Sequence, residues 1–143
     1  MLLEAYNTVL ALWSPQTKQT FFSEEQRIEL IKLSLESSFG QSTFDEIVSF
    51  QGLLVDFAKS IGANILIRGI RSVSDFEYEI NLANINKVLA PDIETIFLPT
   101  SPELAVVSSS MVKEIAKCGG DISKFVEPCV VEAIYKKNMF QVK

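Results

Sequence analysis

Along this chain short apolar runs alternate with stretches of helical periodicity. Thr8–Trp13 (TVLALW) reads as a buried strand, and the polar stretch Ser14–Thr20 follows as a loop. Ser23 and Gln26 stand at capping-box spacing, and Ile28, Ile31 and Leu35 then recur on one face, predicting a helix that ends near Ser37. Phe44–Phe50 is a short strand of mixed polarity. Gly52–Ile61 is predicted helical with Leu54, Phe57 and Ala58 facing inward and Gly62 closing its end. Asn64–Ile67 is a second apolar strand and runs into Arg68-Gly69-Ile70-Arg71. A helix over Ser74–Leu89, with Ser74 as N-cap and Glu77 completing a capping box, cannot pass Pro91. Ile93–Leu98 is the next strand, and Pro99–Val107 a loop with two prolines. Ser108-Ser109-Ser110 opens a helix over Met111–Lys117 that Gly119-Gly120 ends, and a last helix begins after Pro128 and runs to about Lys137.

Strands and helices in this alternation predict an α/β fold, a parallel sheet covered on both faces that binds ligands at the carboxyl ends of its strands. No internal repeat and no Gly/Ser/Pro linker divides the 143 residues, so a single domain over 1–143 is expected. A chain that is 48% hydrophobic and 22% charged is that of an ordinary globular protein, which excludes collagen, coiled coil and disulfide- or metal-stapled mini-proteins.

Charge and cysteines narrow the picture. A net charge of −5 repels polyphosphate backbones, so a general nucleic-acid binder is not expected and any anion site must be local. Cys118 and Cys129 form no CxxC, and the chain has no histidine, so mixed Cys/His zinc sites cannot be built. Both are read as buried or half-exposed thiols in a reducing compartment. The apolar start Met1–Trp13 lacks a basic leader and carries Glu4, and no apolar run reaches the roughly 18 residues of a membrane span, so a cytoplasmic protein with no membrane partner is expected. Without histidine the commonest general base near neutral pH is absent, and chemistry rests on Arg, Lys, Ser and backbone groups.

Two of the three arginines, Arg68 and Arg71, lie within four residues at the carboxyl end of an apolar strand. Guanidinium forks there, with Gly69 between them allowing close backbone approach, suit a phosphate; the alternative is that both pair with Asp75, Glu77 or Glu79 as surface ion pairs. Ser108–Ser110 at a helix start offers hydroxyls and free N–H groups to an oxyanion, with Lys113 a turn further on, or else supplies one N-cap and two exposed serines. Lys18, in the loop after the first strand, is either a phosphate-reaching ammonium or an ordinary surface lysine. Glu77 and Glu79 diverge on a helix and make no paired-carboxylate acid/base site. Asp75 and Glu79 share a face, placed to bind a ligand hydroxyl or amine or to hold an arginine. No GxxxxGK[ST], GxGxxG or GxSxG occurs, so Walker ATPases, dinucleotide-binding dehydrogenases and serine hydrolases have no support.

The segments GLLVDFAK (Gly52–Lys59), RGIRSVSDFEYE (Arg68–Glu79), APDIETIFLP (Ala90–Pro99) and SSSMVKEIAKCGGDISKFV (Ser108–Val126) together resemble bacterial phosphopantetheine adenylyltransferases from about Thr8 to about Lys136. The resemblance implies a Rossmann-like, doubly wound parallel sheet of the nucleotidyltransferase type. It also implies adenylyl transfer from ATP to 4′-phosphopantetheine in coenzyme A biosynthesis, with Mg²⁺ accompanying ATP, coenzyme A as a feedback ligand, and a homohexamer. Carried over by motif, Lys18 looks like the loop lysine that contacts phosphopantetheine, Leu54 like a wall of the pantetheine pocket and Arg68 like the substrate-binding arginine. Gly69, Ile70 and Arg71 resemble the nucleotide-contacting Gly-x-Arg, Glu79 the ATP-binding glutamate, and Leu104, Ala105, Val106, Val107, Ser108, Ser109 and Ser110 the loop over adenine and phosphates. Lys18 and Arg71 carry the expected catalytic roles, and no protein metal ligands are expected.

The family opens with a strand and a PG[ST]FDPxTxGH loop that this chain does not show; Met1–Tyr6 resembles the tail of the helix after it. An N-terminal truncation of roughly two dozen residues is therefore expected, with the first strand absent and neighbouring strand edges unpaired. A catalytically inactive nucleotide- or coenzyme A-binding homologue is the alternative. A relative using a cytidine nucleotide or nicotinamide mononucleotide is disfavoured by RGIRSVSDFEYE and SSSMVKEIA.

Overall fold

The computed structural model describes residues 8–14, 20–40 and 46–139. Lys18, the N-terminal stretch Met1–Tyr6, the interior of the Ser14–Thr20 loop and the first residues of the Phe44–Phe50 strand lie outside the described residues. The chain divides into two compact units, Met1–Gln51 with Val112–Lys143, and Gly52–Met111.

In the first unit, β1 (Val9–Trp13) pairs in parallel with β2 (Glu46–Phe50), from Val9 opposite Glu46 to Trp13 opposite Phe50. The Ser14 amide continues this pairing to the Phe50 carbonyl at 2.9 Å. α1 (Glu24–Phe39) joins the strands and starts at the expected capping box. Ser23 Oγ accepts from the Gln26 amide at 3.2 Å, and the Gln26 side chain accepts from the Ser23 amide at 3.0 Å. The helix runs two residues beyond Ser37 and ends at Gly40, whose φ of 79° is a conformation that glycine adopts without strain. α6 (Pro128–Met139) packs on α1, and Ser37 and Ser38 of α1 donate to the Glu127 carboxylate just before α6.

α5 (Ser109–Lys117) ends in a Schellman turn, with Gly119 donating to Ala116 and Gly120 to Ile115. Each glycine is required for its own reason. Gly119 takes a φ of 76°, whereas a Cβ on Gly120 would stand 2.8 Å from Ile115 Cγ2 and 3.3 Å from the Ile115 carbonyl oxygen. The Gly120 carbonyl also accepts from the Tyr135 hydroxyl at 2.6 Å. Gly120→Ala is expected to cost about 1–3 kcal/mol of stability, read by urea denaturation, because the crowding atoms include backbone that cannot step aside.

In the second unit, β3 (Ile65–Ile70) pairs in parallel with β4 (Glu94–Pro99); α2 (Leu54–Ser60) precedes β3 and α3 (Val73–Leu89) connects the two strands. α2 closes as predicted at Gly62: the Gly62 amide donates to Lys59 and the Ala63 amide to Ala58. Its inward face includes Val55, 1% exposed, beside the predicted Leu54 and Ala58. Val55, Ala58, Leu66, Ala90 and Ile93 form one buried cluster, against which Leu54 and Ala63 pack.

Two expectations about helices are corrected, while the parallel α/β expectation holds: the described strands form two parallel sheets of two strands each. Alternation along β3 and β4 accordingly turns Leu66 inward and leaves Ile65, Ile67, Ile96 and Leu98 exposed on the other face. The N-cap of α3 lies two residues before Ser74, at Ser72, which accepts from the Asp75 amide at 3.2 Å, so the Ser74–Glu77 capping box does not form. The Pro99–Val107 loop contains a one-turn helix, α4 (Pro102–Ala105), which proline can start because its first amides need no helical partner.

Candidate functional site

β3 extends through Arg68, Gly69 and Ile70, so Arg68 lies within the strand, opposite Phe97, and Arg71 is the first residue beyond its carboxyl end. Only Arg71 and Ser72 separate β3 from α3. The first two turns of α3 therefore lie beside the two arginines, and Asp75 and Glu79, four apart, offer one carboxylate to each.

Arg68 donates from Nε and Nη2 to the Glu79 carboxylate at 2.8 and 2.6 Å. This fork-to-fork pair is partly sheltered, the Glu79 side chain 13% exposed and that of Arg68 40%. Hydrogen bonding to Glu79 raises the Arg68 pKa further, so the guanidinium is charged throughout the working range. Arg71 donates from Nε and Nη2 to Asp75 at 2.8 and 3.3 Å, and from Nη1 to the Val107 carbonyl at 3.0 Å.

The Asp75 carboxyl is held below its ordinary value, first by the hydrogen bonds from Arg71. Because the folded value is depressed, the pair's contribution is present above the ordinary aspartate pKa and is lost as the pH falls through the lowered one. An NMR titration of the Asp75 carboxyl carbon is expected to give a midpoint below about 3.9, which Arg71→Ala moves up.

The chain then passes through α4 to the serines. Ser108 Oγ accepts from the Met111 amide at 3.2 Å and so serves as N-cap of α5. Its hydroxyl lies 3.1 Å from that of Ser110, while Ser109 and Ser110 are exposed. Leu104 and Val106 are exposed, Ala105 and Val107 half-buried. Gly69 sits opposite Leu98, where a Cβ would meet nothing closer than Thr100 Oγ1 at 3.9 Å. Leu54 packs against the core as the first residue of α2.

The second unit therefore holds Leu54, Arg68, Gly69, Ile70, Arg71, Glu79 and Leu104–Ser110, while Lys113 falls in the first. Direct contacts join Arg68 to Glu79 and Arg71 to Asp75 and the Val107 carbonyl, so the ion pairs set against a phosphate site in the sequence are present. Asp75 holds Arg71, one of the two roles its place on the Glu79 face left open, while Ser72 as the cap was not assigned from the sequence. A cleft in the first unit, lined by Phe22, Gln26, Glu29, Leu30, Ala133, Lys136 and Lys137, contains none of the predicted residues.

Residues 4–115 match the family described as cytidylyltransferase-like. The chain belongs to the cytidylyltransferase-like family. Within that family it is similar to the phosphopantetheine adenylyltransferase of Nitrosomonas eutropha (strain DSM 101675 / C91 / Nm57), with 44% identity over 131 residues. The alignment covers 92% of this chain and 77% of that protein. Parallel strands alternating with helices are what a cytidylyltransferase-like, Rossmann-type nucleotidyltransferase requires.

Proposed function

We propose that this chain is a phosphopantetheine adenylyltransferase, joining the adenylyl group of ATP to 4′-phosphopantetheine to form dephospho-coenzyme A and pyrophosphate. The 44% identity over nearly the whole chain carries the reading. The grouping of Arg68, Arg71 and the serine-capped helix start in one unit supports it. The family match from 4 to 115 runs through both units, which favours one nucleotidyltransferase domain over 1–143.

In this reaction a phosphate oxygen of 4′-phosphopantetheine forms a bond to the α-phosphorus of ATP. The bond from that phosphorus to the bridging oxygen breaks, and pyrophosphate leaves with the electron pair. The attacking phosphate is already anionic, so positioning and charge stabilisation suffice without a deprotonating base, in keeping with a chain that has no histidine. Lys18 and Arg68 would hold phosphopantetheine, with Leu54 against its pantetheine arm. Gly69, Ile70, Arg71, Glu79 and Leu104–Ser110 would hold ATP, and Lys18 and Arg71 would face the charge that develops at the transferred phosphate.

Among the described residues no cluster of three metal-ligating side chains occurs. Mg²⁺ would be carried on ATP, an ion that keeps most of its waters and takes its remaining ligands largely from phosphate oxygens. Bound there, it would neutralise phosphate charge. No helix among the described residues is long and apolar enough to cross a membrane. A cytoplasmic location, coenzyme A feedback and a homohexamer belong to the same reading, and the exposed Val73, Tyr78, Ile85 and Val88 of α3 offer apolar surface for self-association.

The test is pyrophosphate release from ATP with 4′-phosphopantetheine by a chain of confirmed mass, with Arg71→Ala as background. Turnover lost in the variant is the expected result. Binding of ATP or coenzyme A without pyrophosphate release would overturn this reading in favour of a homologue that binds without turnover.

A further inference from the structure

Arg71 makes contacts to two different segments. Its Nε and Nη2 grip the Asp75 carboxylate in the first turn of α3, while Nη1 reaches across 36 residues of sequence to the Val107 carbonyl. Val107 immediately precedes Ser108, the N-cap of α5, and its own amide donates to Leu104 at 3.1 Å. A guanidinium fastened at one edge by a carboxylate has its plane fixed, so its remaining terminal nitrogen is aimed instead of free to sweep. Ser72 caps α3 by accepting from the Asp75 backbone amide, a contact separate from the Asp75 carboxylate that grips Arg71.

We propose that Asp75 is a positioning residue of the nucleotide site: it orients Arg71 so that Nη1 straps the Val107 carbonyl and sets the backbone of Leu104–Ser110. The inference rests on the adenylyltransferase reading for the identity of the ligand, an adenine nucleotide triphosphate with its Mg²⁺. The contacts described use Nε and one N–H on each terminal nitrogen. The second N–H on Nη1 and on Nη2 is left for a phosphate oxygen, so the strap and a nucleotide can be held together. Asp75 itself touches no substrate in this arrangement; it acts through Arg71.

The test uses the full chain. In the ligand-free protein, Asp75→Asn is expected to speed amide exchange at Ala105, Val107 and Met111 about fivefold, the scale of a lost exposed ion pair, with the β3 and β4 amides unchanged. Asp75→Glu, which keeps the carboxylate, restores most of the protection. Binding of Mg-ATP, measured by calorimetry, weakens about tenfold in Asp75→Asn, a typical coupling between linked elements. Ser72→Ala removes the α3 cap while keeping the carboxylate, so it should loosen the first turn of α3 without reaching Val107.

Unchanged exchange over 104–111 in Asp75→Asn overturns the proposal, whatever happens to affinity. So does equal loosening of that loop by Ser72→Ala, which would reduce Asp75 to helix stability. Failure of the unaltered chain to bind Mg-ATP counts against the adenylyltransferase reading alone, because exchange in the ligand-free protein decides the strap.

Discussion

Arg68→Ala is expected to lower the rate of adenylyl transfer by about 100- to 1,000-fold, the scale of losing one aimed charge-stabilising donor. It is also expected to destabilise the protein, for a different reason. The variant strands the Glu79 carboxylate, 13% exposed and paired with both Nε and Nη2 of Arg68, in a place from which water is largely excluded. Arg68 is itself 40% exposed, so the cost lies between that of a surface pair and a buried one, about 1–3 kcal/mol.

A double variant separates the two effects. Arg68→Ala with Glu79→Leu removes the orphaned charge along with its partner, and stability should return most of the way to that of the unaltered chain. Activity should not return, because the guanidinium is still missing. Urea denaturation and pyrophosphate release, measured on both variants, check this. If the double variant recovers turnover as well as stability, Arg68 acts only by neutralising Glu79, and its assignment to substrate fails.

Local signals in the sequence located most elements, because the interactions that fix them are themselves local. The Ser23–Gln26 box and the glycine closures after α2 and α5 are short-range hydrogen-bond patterns with few alternatives. The end of β3 was not legible in the same way. Arg68 and Gly69 break the apolar run that marks a strand, but the ladder to β4 continues through them, with Arg68 opposite Phe97 and Gly69 opposite Leu98. That extension also moved the helix start. With β3 ending at Ile70, Ser72 becomes the residue in extended geometry before α3, and of two serines with an acidic residue three positions on, it is the one that caps.

The site residues were legible as residue types at strand and helix ends, and their carboxylate partners Asp75 and Glu79 as one of two alternatives, but the backbone partner of Arg71 was not. The contact from Arg71 to Val107 ends on a backbone carbonyl, which carries no side-chain signature at all. Strand pairing was similarly hidden. Each apolar run announces a strand, yet nothing in Thr8–Trp13 or Asn64–Ile67 names the neighbour with which it pairs.

Ile93→Ala is expected to cost about 2–5 kcal/mol, a large part of the roughly 5–15 kcal/mol that holds a native domain together. Ile93 is 4% exposed and packs with Val55, Ala58, Leu66 and Ala90, so truncation leaves a cavity bounded by α2, β3 and the end of α3 at its cap residue Ala90. Its amide donates to the Ala90 carbonyl at 3.0 Å, which fixes the turn between α3 and β4 and limits how far the backbone can collapse into that space. Ile93→Val removes one methylene and should cost about 0.5–1.5 kcal/mol. Urea denaturation should show lower midpoints with unchanged slopes, the mark of lost stability without a changed unfolded state. The consequence reaches the site through Leu66, whose side chain lies on the same face of β3 as that of Arg68 two residues later. Loosening the cluster frees the strand that aims the guanidinium, so affinity for 4′-phosphopantetheine should fall from the unaltered chain to Ile93→Val to Ile93→Ala, in the order of the midpoints. Full affinity in a folded Ile93→Ala would mean that the pair with Glu79, and not the core beneath it, holds Arg68 in place.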